Sequence, residues 1–364
     1  MKLPSVLTSE PGLYAGIAAS VYFYSLCTRY LTTGSSAWVS LCLFLLLFVA
    51  MLWSSFGVVR HADGLAAQLG EPYGTLILTL SVISIEVIMI SAVMLTGDHN
   101  PTLGRDVMFS VLMIVLNGLV GLSLLLGGIR HVEQTFNLQG ANSFLGILIP
   151  LSVLGLILPN FTESTRAGTF SLEQVVFLVV MNVVLYVAFL GMQTMRHRNY
   201  FVGENTEPNH NCEKKLSVLT HTLLLICYMI PIVLLSKKLA VLVDYGISEL
   251  GAPADLGGLI VAILVLSPEG MAAIKAARVN NLQRSINICL GSALATIGMT
   301  IPAVLMIGVL TSKTIVLGLN NVEALLLMLT LLVSMVNFSS AKSNLFQGVP
   351  HLTLFCCFII LIFD

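Results

Sequence analysis

Eleven apolar runs follow one another along this chain, near residues 13–31, 36–59, 74–97, 106–129, 143–162, 172–195, 217–240, 256–276, 285–311, 317–338 and 349–363. Most reach the ~20 residues that a helix needs to cross about 30 Å of hydrocarbon. In lipid every backbone N–H and C=O must be satisfied within the protein, so runs of this kind read as spanning helices. Composition points the same way: 57% of the 364 residues are hydrophobic and 10% are charged, against about 25% charged in soluble domains. A water-soluble enzyme is excluded. The formal net charge is −1 and no basic tract points to nucleic acid. The sequence predicts an all-α polytopic membrane protein of about 11 transmembrane helices.

The connections read as short and polar, such as Arg60-His-Ala-Asp63, Gly97-Asp-His-Asn-Pro101 and Arg130-His131. The one long polar stretch, Arg196 to Lys215, reads as a cytosolic linker. It sets out an N-terminal segment with the first helix (1–35), a first half (36–195), the linker (196–216) and a second half (217–364). With eleven spans, 11 of the 17 Lys and Arg residues fall on the side of the N-terminus and six on the other. The positive-inside rule then puts the N-terminus in the cytoplasm and the C-terminus outside the cell (inner) membrane. The first run lacks a small-residue cleavage site, so it is expected to be retained. Seven cysteines without a CxxC support neither a disulfide framework nor a thiolate metal site.

One stretch occurs twice. Gly74-Thr-Leu-Ile-Leu-Thr-Leu-Ser-Val-Ile-Ser-Ile-Glu86 returns as Gly257-Gly-Leu-Ile-Val-Ala-Ile-Leu-Val-Leu-Ser-Pro-Glu269, each preceded by a Leu-Gly-x-Pro turn. Helical rise puts each glutamate about 18 Å from its glycine, near mid-depth. The copies lie in the third and eighth spans. Five spans is an odd number, so they thread the membrane in opposite directions, as in the inverted repeats of secondary transporters. Aligning Arg105 with Arg284 brings Asn117 opposite Thr296 in the following span. Two inverted five-helix repeats are therefore expected, with motif regions at 70–128 and 251–311.

An ionised acid at mid-depth costs at least about 2.5–3.5 kcal/mol. No Lys or Arg lies at matching depth in the four central spans, so protons or a metal cation are the natural compensators. A site that takes either but not both is the core of a cation/proton antiporter. The donors available there, Glu86, Glu269, Ser84, Ser267, Asn117, Ser292 and Thr296, all offer oxygen. Oxygen sets suit Ca²⁺, Mg²⁺ or Na⁺, not Zn²⁺ or Cu⁺, and two carboxylates balance Ca²⁺ in charge. Pro268 and Gly270, and Gly298 and Pro302, are expected to break their helices and free backbone carbonyls. Each glutamate could instead be neutral and hydrogen-bonded, and Ser and Thr in spans also serve as helix glue. His197, His210 and His221 read either as pH sensors or as plain loop residues. Two other functions stay open: a cation channel with the same acidic pair, and an intramembrane enzyme, for which no HExxH or mid-depth histidine is seen in the central spans. No GxxxxGK[ST] motif supports ATP drive. Residues 139–195 and 313–364 carry no reading beyond helix packing.

The chain is similar to the Ca²⁺/cation antiporter superfamily, and within it to the bacterial ChaA-type Ca²⁺/H⁺ (and Na⁺/H⁺) antiporters. The likeness rests on Val59-Arg-His-Ala-Asp63, Leu69-Gly-Glu-Pro-Tyr-Gly74, Glu86, Pro101-Thr-Leu-x-Arg-Asp106, Gly118-Leu-Val-Gly121, Ser123-Leu-Leu-Leu-Gly-Gly128, Leu266-Ser-Pro-Glu-Gly270, Asn280-Asn-x-Gln-Arg284 and Gly291-Ser-x-Leu-Ala-Thr296. The resemblance implies two alpha-repeats meeting at the membrane centre, with Glu86 and Glu269 binding Ca²⁺ or protons and Asn117 and Ser292 as further polar residues. Ser84-Ile-Glu86 and Ser267-Pro-Glu269 stand where many superfamily exchangers carry Gly-Asn-x-x-Glu. The expectation is export of Ca²⁺, with Na⁺ and K⁺ left open as further cations, in exchange for H⁺. No cofactor is expected beyond the transported ion, and the partners are the ions and membrane lipid, with a homo-oligomer compatible.

Overall fold

The computed structural model describes residues 10–25, 37–69, 73–96, 101–165, 168–202, 216–251, 253 and 255–363. Its helical runs, labelled in chain order, are α1 (Pro11–Ser25), α2 (Ala37–Leu69), α3 (Tyr73–Thr96), α4 (Leu103–His131), α5 (Leu138–Phe161), α6 (Leu172–Arg196), α7 (Val218–Leu250), α8 (Asp255–Arg278), α9 (Leu282–Thr311), α10 (Asn321–Asn337) and α11 (Leu345–Leu361). Among the described residues seven of these runs are long and apolar enough to cross a membrane. The all-α polytopic expectation holds. The end of the first predicted run and the connection at 97–100 lie outside the described residues.

Repetition shows in the helices themselves. α2 and α7 are each 33 residues long and α3 and α8 each 24, while α4 and α9 measure 29 and 30. Both α4 and α9 contain a π-helical segment, Met113–Leu119 and Thr296–Thr300. These contain the positions that the sequence alignment pairs, Asn117 and Thr296. A π-turn adds a residue to the helix and is common at functional positions.

The structure corrects two sequence expectations. Arg60-His-Ala-Asp63 is not a connection but lies inside α2. Ala62, Leu65, Ala66 and Ala67 favour helix, and the sequence carries no Gly or Pro stop signal of the Gly-Glu-Pro kind until residues 70–72. Nor do Pro268 and Gly270 break α8, which runs unbroken to Arg278. The irregularity sits in α9 instead, just before Pro302.

The chain forms two compact units, Met1–Asn100 with Cys212–Gly257, and Pro101–Asn211 with Gly258–Asp364. In the first, α2 packs along α7, with α1 and α3 against both. Gly57 and Gly64 lie two turns apart on one face of α2. A Cβ on them would fall 2.2 Å from the Tyr228 ring and 2.3 Å from the His221 ring. Tyr228 and His221 are themselves seven residues apart on α7, so the aromatic ridge of one helix fills the glycine groove of the other.

In the second unit, α4 and α11 approach backbone to backbone: a Cβ on Gly348 would lie 2.6 Å from the Gly121 carbonyl oxygen. A two-stranded antiparallel ladder, β1 (Glu133–Thr135) and β2 (Lys342–Asn344), ties the ends of these helices together. The start of the predicted linker is docked rather than loose. Phe201 packs on Phe144 and Phe189, and its carbonyl accepts from Asn287 Nδ2 at 2.6 Å.

Widening the α4–α11 contact should cost about 1–3 kcal/mol. Gly348→Leu should therefore lower the thermal midpoint of the detergent-solubilised protein. Gly146→Ala, where a Cβ meets nothing within 4 Å, should leave it unchanged or higher.

Candidate cation-binding site

Each motif acid belongs to one unit, and each sits on the buried face of its helix. Glu86 on α3 is 2% exposed, with Ile83, Met89 and Ile90 buried around it on the same face. Glu269 on α8 is 3% exposed, among buried Ala262, Val265, Leu266 and Ala273. The two serines do not share those faces. A separation of two residues turns a side chain about 200° around an α-helix. Ser84 donates to the Leu80 carbonyl at 2.7 Å and Ser267 to the Ile263 carbonyl at 2.5 Å, each along its own helix. Leu80 and Ile263 are among the exposed apolar residues. The repeats therefore match in what they bury and in what they turn outward.

Around Glu269 the second unit supplies oxygen. Ser292 Oγ donates to Glu269 Oε2 at 2.6 Å. Thr296 and Thr300 continue from Ser292 along α9, 1% and 0% exposed. The sequence brought Ser292 and Thr296 into the candidate set, and the structure joins Ser292 to Glu269 directly. Cys289 and the Tyr186 hydroxyl of α6 also lie within electrostatic reach of this carboxyl, and the Tyr186 ring packs on Gly298.

Neither Tyr186 nor its neighbour one turn away, Asn182, was legible as functional, because residues 139–195 showed only apolar periodicity. Yet the buried stripe of α6 is Leu178, Asn182, Tyr186 and Phe189, so its polar residues fall on the inward face. Among the described residues the Tyr186 hydroxyl, Asn182 Oδ1 and Ser152 Oγ are buried without a hydrogen-bond partner.

Asn117, in the π segment of α4, is engaged elsewhere. Its Nδ2 donates to Thr330 Oγ1 at 2.8 Å, and its Oδ1 lies 3.2 Å from His351 Nδ1. Both partners come from α10 and α11, where the sequence suggested packing alone. A lone histidine in an otherwise apolar final run was the signal available. Leu119, two residues on, is the side chain that meets α8, at Gly270. Asp106, at the start of α4, is buried and paired with Arg105 at 2.8 Å. A Cβ on Gly258 would fall 2.6 Å from the Asp106 backbone, which keeps that position small.

An oxygen-rich arrangement around a buried acid can hold a hard cation or, when the acid is neutral, a proton. Removing the hydrogen bond that Ser292 gives a charged group should cost about 1.5 kcal/mol. Ser292→Ala should therefore weaken apparent cation affinity roughly tenfold, read from the concentration dependence of exchange. Ser267→Ala, which deletes only a bond to its own helix, should change it less than about twofold.

Comparison with known proteins identifies the family. The sodium/calcium exchanger protein family matches residues 39–195 and 220–363. The chain is 39% identical to the sodium-potassium/proton antiporter ChaA of Escherichia coli (strain K12), over 88% of each chain. It is 25% identical to the Ca²⁺/H⁺ antiporter ChaA of Bacillus subtilis (strain 168), over 73% of this chain and 74% of that one. Among solved structures it resembles native YfkE, with TM-score 0.74 at 20% identity, covering 96% of this chain and 99% of that one. It also resembles the H⁺/Ca²⁺ exchanger CAX, with TM-score 0.68 at 16% identity, covering 96% and 88%. The family model, which matches most of the chain, and the 39% identical relative place the chain in the sodium/calcium exchanger family.

Proposed function

We propose that the chain is a secondary active antiporter that exports Ca²⁺, and Na⁺ or K⁺ as well, in exchange for entering protons. The observation that carries this reading is the full burial of Glu86 and Glu269 on matched faces of two repeated helices. A carboxylate in that position is stable only with a cation or a proton beside it. In the proposed cycle the acids lose protons toward the cytoplasm and take the cation. The protein then changes the side to which they are open, and external protons displace the cation. The N-terminus is cytoplasmic and the C-terminus external in this scheme, following the bias of Lys and Arg. Ser292 holds the Glu269 carboxyl in place, and Thr296 extends the oxygen-bearing line of α9.

Identity to curated relatives that are named for sodium, potassium and calcium exchange with protons supports the reaction type. It leaves the order of cation preference to measurement, since Ca²⁺ and Na⁺ share a taste for oxygen. Purified protein in proteoliposomes should accumulate Ca²⁺, Na⁺ or K⁺ against its gradient when a pH difference is imposed. Glu86→Gln and Glu269→Gln should each abolish that uptake. Cation flux that runs only downhill and ignores the pH difference would instead identify a channel.

A further inference from the structure

A second cluster of ionisable side chains lies inside the first unit, apart from either motif acid. Glu10, just before α1, is 3% exposed. Its Oε2 pairs with Arg60, accepts from the Tyr228 hydroxyl at 2.8 Å and lies 3.4 Å from His61 Nε2. His61 is 2% exposed, and its Nδ1 lies 3.0 Å from Nδ1 of His221. Arg60 also approaches His61 Nε2, at 3.5 Å. The cluster thus draws on α2 (Arg60 and His61), α7 (His221 and Tyr228) and the residue before α1. α3 carries Glu86 as its acid, in its second half. Among the described residues no α3 side chain is hydrogen-bonded to either imidazole. Asp63 follows His61 on α2 by two residues, on another face of that helix.

The facing nitrogens fix the proton count. Two Nδ1 atoms 3.0 Å apart can share one proton, one donating and the other offering its lone pair. With both rings neutral one N–H lies between them: His221 Nδ1–H donates to His61 Nδ1, His61 Nε2–H faces Glu10, and Arg60 turns its protons to the Glu10 carboxylate. One added proton keeps a single N–H between the rings, and the Glu10 carboxylate balances Arg60 while one imidazolium is present. A second added proton sets N–H against N–H and places two positive rings beside Arg60. The rings must then part. They cannot part alone, because the His221 ring fills the groove at Gly64 and Tyr228 fills the one at Gly57.

We propose that Glu10, Arg60, His61, His221 and Tyr228 form a proton-binding site, separate from the transport acids, whose full protonation loosens the contact between α2 and α7. All five residues gather where α1 and α7 begin and α2 nears its end. Under the proposed orientation this is the cytoplasmic end. An exchanger that brings protons in gains from slowing when the cytoplasm is already acid, and this site supplies the brake. The site stands on its own geometry, and only the direction of its benefit rests on the proposed exchange.

The test uses the full chain with two readouts. In proteoliposomes with a constant pH difference, wild-type exchange should fall at least about fivefold as the pH on the α7 N-terminal side goes from about 7 to about 5, below the free-histidine range because the second proton enters a buried pair beside Arg60. His221→Gln and His61→Gln, which keep a polar side chain but cannot charge, should flatten that fall while staying within about twofold of wild type at about pH 7. In detergent, the protection of amide hydrogens over residues 57–64 and 218–228, taken relative to their intrinsic exchange rate at each pH, should fall at low pH in the wild type and not in His221→Gln. This second readout needs no transport, so it separates failure of the site from failure of the exchange reading. Profiles of the variants that superimpose on wild type, a uniform loss at every pH, or amide protection at these helices that is indifferent to pH would overturn the proposal.

Discussion

A carboxylate placed where water cannot reach it dominates this structure. Desolvating an ionised acid costs several kcal/mol unless a proton, a metal ion or a positive side chain compensates. Among the described residues Arg60 compensates the buried Glu10 and Arg105 the buried Asp106. Glu86 and Glu269 lie well inside their 24-residue helices, on faces otherwise lined by Ile, Val, Leu, Ala and Met. A buried acid of this kind is costly as a purely structural element, and the proposed exchange gives it a use.

The scaffold that holds these acids is assembled by close backbone approach. Within a bilayer the hydrophobic effect does not drive helices together, so association depends on shape and on polar contacts. Glycines at 57 and 64 admit aromatic rings from α7, and Gly121 and Gly348 bring α4 and α11 into main-chain contact. Ser123 and Ser285 add a buried hydroxyl pair at 2.8 Å between α4 and α9. The matched lengths of α2 with α7, α3 with α8 and α4 with α9 show one design used twice. The two copies have diverged most in their polar details. Within the second unit Asn117 is held by Thr330 and His351, and Ser292 reaches Glu269.

Much of the fold was legible because lipid leaves few options. Hydropathy alone anticipated the eleven described helical runs, and the Ser-x-Glu repeat marked both acids. Errors arose where a polar residue was taken as a sign of a connection. Arg60 to Asp63 continue α2 beyond its most apolar stretch, since nothing there stops a helix and the buried His61 finds partners on α7. Side-chain direction was the other gap. The spacing of Ser84 and Ser267 from their acids already implied opposite helix faces, but the polar character of the motif suggested a shared site. The partners of Asn117 and the inward oxygens of Asn182 and Tyr186 come from segments far away in sequence, and only packing reveals them.

The central claim is that the buried acids hold either a cation or protons and exchange one for the other. It is tested most directly by proton release on binding, with no membrane gradient present. Purified protein in weakly buffered detergent solution, at a pH where the acids are protonated, is titrated with Ca²⁺ while a pH indicator is followed. The account predicts release of up to about two protons per bound Ca²⁺, with an apparent affinity that rises steeply with pH. Ca²⁺ binding that releases no protons, with an affinity independent of pH, would contradict it.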